Sequence, residues 1–360
     1  MLEVLEDIKF WWDRKVLFTE RDQLEFMSMF NSYLEEGDGL KLALDSTKAA
    51  YADVYGDDYV VVKICKKLSR AVGSGKGFDQ LMGKYFSPAI AVGFELSKRV
   101  AGDKSNVLGI IDLVETESRL KGKAISNLAL PLVLFAAGLL INVVMGGIVI
   151  PRQESISGIV VDTPEALLAK GIAWFFLSYW YLVILLIGFM AFGVAKLQSY
   201  MRPDDRAGTV RVIFDNVWPF NLYKIFWSIR LARLLGYLKL ADVKDIEALK
   251  IIKKFSSRFM GYHIDILISG LQVGREKKHY FGKELFLPTQ MIRIRRFFTN
   301  ADNAAFANAL VAMSYKSEKD VEMQNRRTVT KYVIFFVFVG LGLSIFGIGA
   351  VIDAALLSID

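Results

Sequence analysis

Residues 171–195 read GIAWFFLSYWYLVILLIGFMAFGVA, a run of consecutive positions without one charged side chain. At 1.5 Å rise per residue such a helix is about 37 Å long, enough to cross a hydrocarbon layer roughly 30 Å thick with some tilt. Two other stretches have the same character: 128–150 (LALPLVLFAAGLLINVVMGGIVI) and 332–352 (YVIFFVFVGLGLSIFGIGAVI). A core helix of a soluble protein keeps a polar face over that length, and these keep none. The expected fold class is an all-α polytopic membrane protein with three transmembrane helices.

The basic residues beside each span set the orientation. Arg119, Lys121 and Lys123 precede the first span, Lys196, Arg202, Arg206 and Arg211 follow the second, and Arg326, Arg327 and Lys331 precede the third. The 151–170 loop sets Arg152 and Lys170 against Glu154, Asp162 and Glu165, and only Asp353 and Asp360 follow the last span. The basic side is expected to be cytoplasmic, which places the N-terminus there and puts the 151–170 loop and the 353–360 tail in the periplasm. The soluble parts are then an amphipathic segment over 1–18, a first cytoplasmic domain over 19–125 and a second over 196–331. The opening MLEVLEDIKFWWDRK has acidic residues where an export signal needs basic ones, so no cleavable signal is expected.

The formal net charge of +7 is unevenly spread. Segment 1–125 holds 18 basic and 20 acidic residues, whereas 196–331 holds 25 and 13. The excess therefore belongs to one cytoplasmic domain and its membrane border, which favours anionic lipid or an acidic protein partner over nucleic acid. A single cysteine, Cys65, and two histidines, His263 and His279, exclude an intramolecular disulfide and argue against a Cys/His zinc site.

Both soluble segments read as helical bundles. Leu24, Phe26, Met27, Phe30 and Leu34 recur at helical spacing, Gly37-Asp38-Gly39 interrupts them, and Leu40, Leu42 and Leu44 start again. The two halves also look like one domain twice. Gly83-Lys84-Tyr85-Phe86-Ser87-Pro88 is echoed by Gly282-Lys283-Glu284-Leu285-Phe286-Leu287-Pro288; each follows a glycine segment (Gly73 and Gly75, then Gly274) and precedes a span by about 40 residues.

On these residues the chain resembles the inner-membrane platform proteins of type IV pilus and type II secretion machines, the PilC/GspF-like F-domain family. Leu34 to Leu44 with Gly37 and Gly39 is similar to the family's leucine–glycine–leucine opening, and Gly73 to Pro88 to its glycine turn and following proline. Ala101-Gly102-Asp103-Lys104-Ser105-Asn106-Val107-Leu108 resembles its Ala-Gly-acid motif, with Asp103 and Asn106 where the pattern has Glu and Gly. Tyr315 to Val321 resembles the acidic helix before the last span. The departures are similar to the type IVb pilus branch. The resemblance implies a non-enzymatic platform with no cofactor. Its partners would be a hexameric cytoplasmic assembly ATPase, the transmembrane helices of pilins or pseudopilins, other inner-membrane assembly proteins, and further copies of itself.

Catalytic readings fail on spacing. Gly73-Ser74-Gly75-Lys76-Gly77 lacks both the upstream glycine and the hydroxyl after lysine that a phosphate loop requires, and reads as a turn. Asp57-Asp58 and Asp204-Asp205 match no ligand pattern, and His263 and His279 read as satisfied or surface histidines. The alternative function is a small-solute transporter, but the spans carry no ionisable group. Their polar residues Asn142 and Ser344 are expected to hydrogen-bond between helices, and Gly146-Gly147 to mark a kink or a close contact. Gly340 and Gly347, like Gly342 and Gly349, stand seven apart and read as a helix-packing groove. Two contact surfaces are expected: Phe10, Trp11 and Trp12, and the basic cluster Lys277, Lys278, Lys283, Arg293, Arg295 and Arg296, facing lipid or a protein partner.

Overall fold

The computed structural model describes residues 10, 12, 14, 18–75, 78–99, 104–203, 211, 213–215, 220–282, 284–298 and 302–357. Trp11, Lys76, Gly102, Asp103, Asp204, Asp205 and Lys283 lie outside them, as do the side chains of Lys277 and Lys278. Every regular element among the described residues is helical. The helices are α1 (Glu20–Glu35), α2 (Leu40–Tyr55), α3 (Val60–Ser74), α4 (Phe78–Tyr85), α5 (Pro88–Arg99), α6 (Lys104–Val144), α7 (Ile150–Ser157), α8 (Pro164–Tyr200), α9 (Phe220–Leu240), α10 (Asp245–Lys254), α11 (Arg258–Gln272), α12 (Lys277–Tyr280), α13 (Pro288–Arg295) and α14 (Asn303–Leu357).

Local chemistry sets these boundaries. Thr19 and Asp22 form a reciprocal cap at the start of α1, with the Thr19 amide donating to the Asp22 carboxylate at 2.7 Å. Left-handed glycines end α3 at Gly75 (φ 66°) and follow α11 at Gly274 (φ 69°). Pro88 and Pro288 open α5 and α13, where a missing N–H breaks no helical bond.

The succession α1–α6 recurs as α9–α14. The first two helices of each set are joined over 36–39 and 241–244, and each connection turns on one left-handed residue, Gly37 (φ 96°) or Asp242 (φ 60°). The closing bonds correspond: Asp38 N–H donates to Tyr33 O at 3.1 Å, and Val243 N–H to Leu238 O at 3.0 Å. Gly83 and Gly282 do not correspond in conformation. Gly83 lies within α4, whereas Gly282 has φ 66° and its Cβ position would lie 1.8 Å from the Phe286 ring.

Residues 1–119 and 198–321 form one compact unit. Its hydrophobic core is continuous, from Phe26, Phe30, Phe86 and Phe94 of the first set to Ile225, Leu231, Leu235 and Phe259 of the second. Helix α9 runs through this unit with Leu231, Ala232, Leu234, Leu235 and Leu238 all buried.

Residues 120–197 and 322–360 form the second unit. Three helical stretches there are long and apolar enough to cross a membrane: Ala129–Ser157, Pro164–Tyr200 and Val329–Ile352. The first passes through a π-helical turn, Met145–Val149, into α7. The expected 151–170 loop is therefore mostly helix, leaving 158–163 as the connection. Gly158 (φ 72°) ends α7, and Glu154 ties the turn by accepting from the Val161 amide at 2.7 Å and from Lys170 at 2.6 Å.

Close backbone approach joins α6 to α14. A Cβ on Gly138 would meet the Gly340 carbonyl oxygen at 2.4 Å, and one on Gly347 would meet Ile141 at 2.9 Å. Asn142, fully buried, donates to Leu343 O at 2.7 Å across this contact. Gly342 has nothing within 4 Å, so Gly340 and Gly347 make the groove without it, and Gly349 comes only within 3.8 Å of Glu165. Ser344 bonds Gly340 O within its own helix rather than a neighbour, since a serine reaches back one turn more easily than across. Gly146 fits against the Ala169 backbone, where a Cβ would lie 2.0 Å from the carbonyl oxygen, so the glycine pair marks both a helical irregularity and a close contact.

Asp242 occupies a backbone conformation that glycine adopts without steric cost. Asp242→Gly is expected to raise stability by about 0.5–1 kcal/mol and Gly37→Ala to lower it by about 1 kcal/mol, measured by chemical denaturation of the detergent-solubilised chain.

Candidate functional site

Helix α9 contributes two arginines one turn apart, Arg230 and Arg233, to a largely apolar core. The Arg233 side chain is fully buried. Its Nε donates to Ser314 Oγ at 2.9 Å, its Nη1 to Asp112 Oδ2 at 3.2 Å and its Nη2 to Glu318, while the guanidinium lies 3.9 Å from the centre of the Tyr315 ring. Arg230 forks onto the buried Glu117, donating from Nε at 2.9 Å and from Nη2, and stacks 4.6 Å from the Trp227 ring.

These side chains bring three helices together: Asp112 and Glu117 on α6, the arginines on α9, and Ser314, Tyr315 and Glu318 on α14. Small residues allow the approach. A Cβ on Gly109 would meet the Tyr237 ring at 2.0 Å, and one on Gly236 would meet Val311 at 2.6 Å and the Ala307 carbonyl at 3.0 Å. The Tyr237 and Tyr315 hydroxyls sit 3.3 Å apart. Burial holds the Glu318 carboxyl up at about 7 against the pull of Arg233, with Asp112 pushing the same way as burial. Ionising that group costs the folded chain more than the unfolded one, so its contribution to stability is lost as pH rises from about 4.5 through about 7.

A second buried polar group lies on α11. His263 is 4% exposed, and neither ring nitrogen has a hydrogen-bond partner among the described residues. The expectation of a satisfied or surface histidine is corrected here: the ring fills an apolar slot, packed 4.8 Å from Phe259. Burial, with Lys224 and Arg211 adding repulsion, lowers its pKa to about 3. His279 is exposed, 3.8 Å from Glu276. Cys65 is buried, and burial pushes its thiol up to about 12, which leaves it a poor nucleophile.

The expected contact residues are dispersed. Phe10 is half-buried, edge-on to Tyr85 and beneath Lys67, while Trp12 is exposed. Arg293 pairs with Asp320 at 2.7 Å, Arg295 is exposed, and Arg296 covers the Phe297 ring. Arg293, Arg296 and Lys316 line a cleft of about 330 Å³ floored by Phe297, Ala312 and Met313, so part of the basic cluster does share a surface. Of the motif turns, Gly37, Gly75, Gly274 and Gly282 take left-handed conformations, Gly39 precedes α2, and Gly73 lies within α3.

No protein-family model matches the chain, and no curated protein does. The site consequently rests on its own chemistry. It has two cations, three carboxylates, two tyrosines and a serine, closely paired, with Arg233, Glu117 and Ser314 buried and Asp112 and Tyr315 reaching solvent. Such a set is suited to holding three helices in a defined arrangement. Sequence reading did not single out Arg230 or Arg233. The available signal was a pair of arginines three apart within an apolar helical run.

Arg233→Met leaves Glu318 largely buried without its cation and is expected to destabilise the chain by roughly 3–5 kcal/mol, with Arg233→Met/Glu318→Leu recovering much of the loss. For His263, the folded pKa lies below the unfolded value near 6.5, so its contribution to stability is lost as pH falls from about 6.5 towards 3. Thermal melts should show His263→Phe more stable than the parent, with the difference widening over that acid range.

Proposed function

We propose that this chain is a non-enzymatic inner-membrane platform of a type IV pilus or type II secretion machine. In this reading it couples a cytoplasmic assembly ATPase to the insertion of pilin or pseudopilin subunits into a filament. Support comes from the motif residues between Leu34 and Leu108, from the repeated six-helix succession, and from one structural observation in particular. Of the three helices tied together at Arg230 and Arg233, two continue in sequence into apolar spans: α6 runs unbroken from Lys104 to Val144, and α14 from Asn303 to Leu357.

The proposed work is mechanical. An ATPase acting on the compact unit would shift α9 against α6 and α14. Arg233, shared between Asp112 and Glu318, gives that shift alternative charge partners, so the helices can move without exposing an uncompensated buried ion. The basic side would face the cytoplasm, with the Gly158 turn on the opposite side.

Co-expression tests this reading. The full chain is expected to co-purify with a hexameric assembly ATPase and, alone, to turn over no ATP. Nucleotide hydrolysis by the purified chain, abolished by Lys76→Ala, would overturn it, as would ion-driven solute uptake by reconstituted liposomes. Glu318→Gln, nearly isosteric, is expected to keep ATPase co-purification while reducing filament assembly at least tenfold.

A further inference from the structure

Met323, Arg326, Arg327, Thr330 and Lys331 line a cleft of about 530 Å³ at the start of the last span. Spacings of three, four, seven and eight put them along one side of α14. Arg326, Arg327 and Lys331 are exposed, and none is paired with a carboxylate among the described residues. Two other cations of this unit are paired: Lys123 with Glu322 at 2.6 Å and Lys170 with Glu154 at 2.6 Å. The three unpaired cations thus form a concentrated positive site at the edge of an apolar run that begins at Val329.

The same side continues into the span as an apolar strip. Ile334, Phe338, Leu341 and Ile345 follow Lys331 at helical spacing and are 51%, 73%, 52% and 69% exposed. At 100° per residue this strip faces away from Gly340 and Gly347, which are occupied by α6. From Lys331 to Ile345 is about 21 Å of helix, more than the roughly 15 Å depth of one leaflet. A cationic head site leading into a leaflet-long apolar strip has the shape of an amphiphile.

We infer that this side of α14 is a binding site for an anionic phospholipid. The headgroup phosphate sits among Arg326, Arg327 and Lys331, and an acyl chain lies along Ile334, Phe338, Leu341 and Ile345. Charge complementarity selects an anionic over a zwitterionic lipid, because only the former leaves net negative charge for three uncompensated cations. The site is independent of the platform reading and would operate in any protein with this helix.

The test uses the full chain in nanodiscs of phosphatidylcholine doped with phosphatidylglycerol, with retained lipid read by native mass spectrometry. The chain is expected to retain phosphatidylglycerol preferentially. At about fivefold per cation, Arg326→Gln/Arg327→Gln/Lys331→Gln should weaken that preference roughly 100-fold. Arg326→Lys/Arg327→Lys should preserve most of it, and Lys250→Gln/Lys254→Gln on α10 should leave it unchanged. Equal retention of both lipids by the parent, or an unaltered preference in the triple variant, overturns the inference. Should the triple variant fail to fold, the parent decides alone: its melting temperature must rise saturably with phosphatidylglycerol content, and a flat or non-saturating response counts against the site.

Discussion

A guanidinium removed completely from water must be answered by charge and hydrogen bonds, and Arg233 imposes that requirement on the core of this protein. Its ion is fully buried, so Asp112, Ser314, Tyr315 and Glu318 have to be present at fixed distances around it. Those partners come from α6 and α14, distant in sequence from each other and from α9. The Arg230–Glu117 pair repeats the constraint a turn away. Apolar packing of Leu231, Leu234 and Leu235 supplies much of the driving force for burying α9 but is tolerant of small shifts. The charge pairs are directional, and they favour those few arrangements in which Arg233 and Arg230 keep a carboxylate partner.

Different physics joins the helices of the other unit. Lipid tails are as apolar as leucine, so burial offers little net gain there, and close packing with a few polar bonds must act instead. Gly138 and Gly340 bring two backbones together, and Asn142 then reaches the Leu343 carbonyl. Because Asn142 is fully buried, its amide makes this bond away from bulk water. The far turn, tied by Glu154 and Lys170, closes the hairpin with an ion pair and a backbone acceptor.

Much of the architecture was legible from residue pattern. Uninterrupted apolar runs located the spans, while Gly37, Gly75, Pro88, Gly274 and Pro288 marked helix ends. Each of those signals is local, arising from solvent transfer or from backbone conformation within a few residues. The 151–170 stretch reads as a loop because it is the polar interval between two apolar runs, whereas Glu154 and Lys170 pair with each other and remain helical. His263 was misread for a similar reason: a histidine carries no sequence mark of being buried among Phe259, Lys224 and Arg211.

The sequence by itself determined a helical fold with three membrane-length apolar helices and a basic second half. Apolarity, helical period and charge are properties of neighbouring residues and need no partner to be read. Only the tertiary structure decided that both soluble segments share one core, that Gly340 and Gly347 rather than Gly342 meet α6, and that Arg233 lies between Asp112 and Glu318. Those facts depend on which side of each helix meets which other helix. Contacts between residues more than eighty positions apart leave no local trace, because the energy that selects them exists only once the helices have come together.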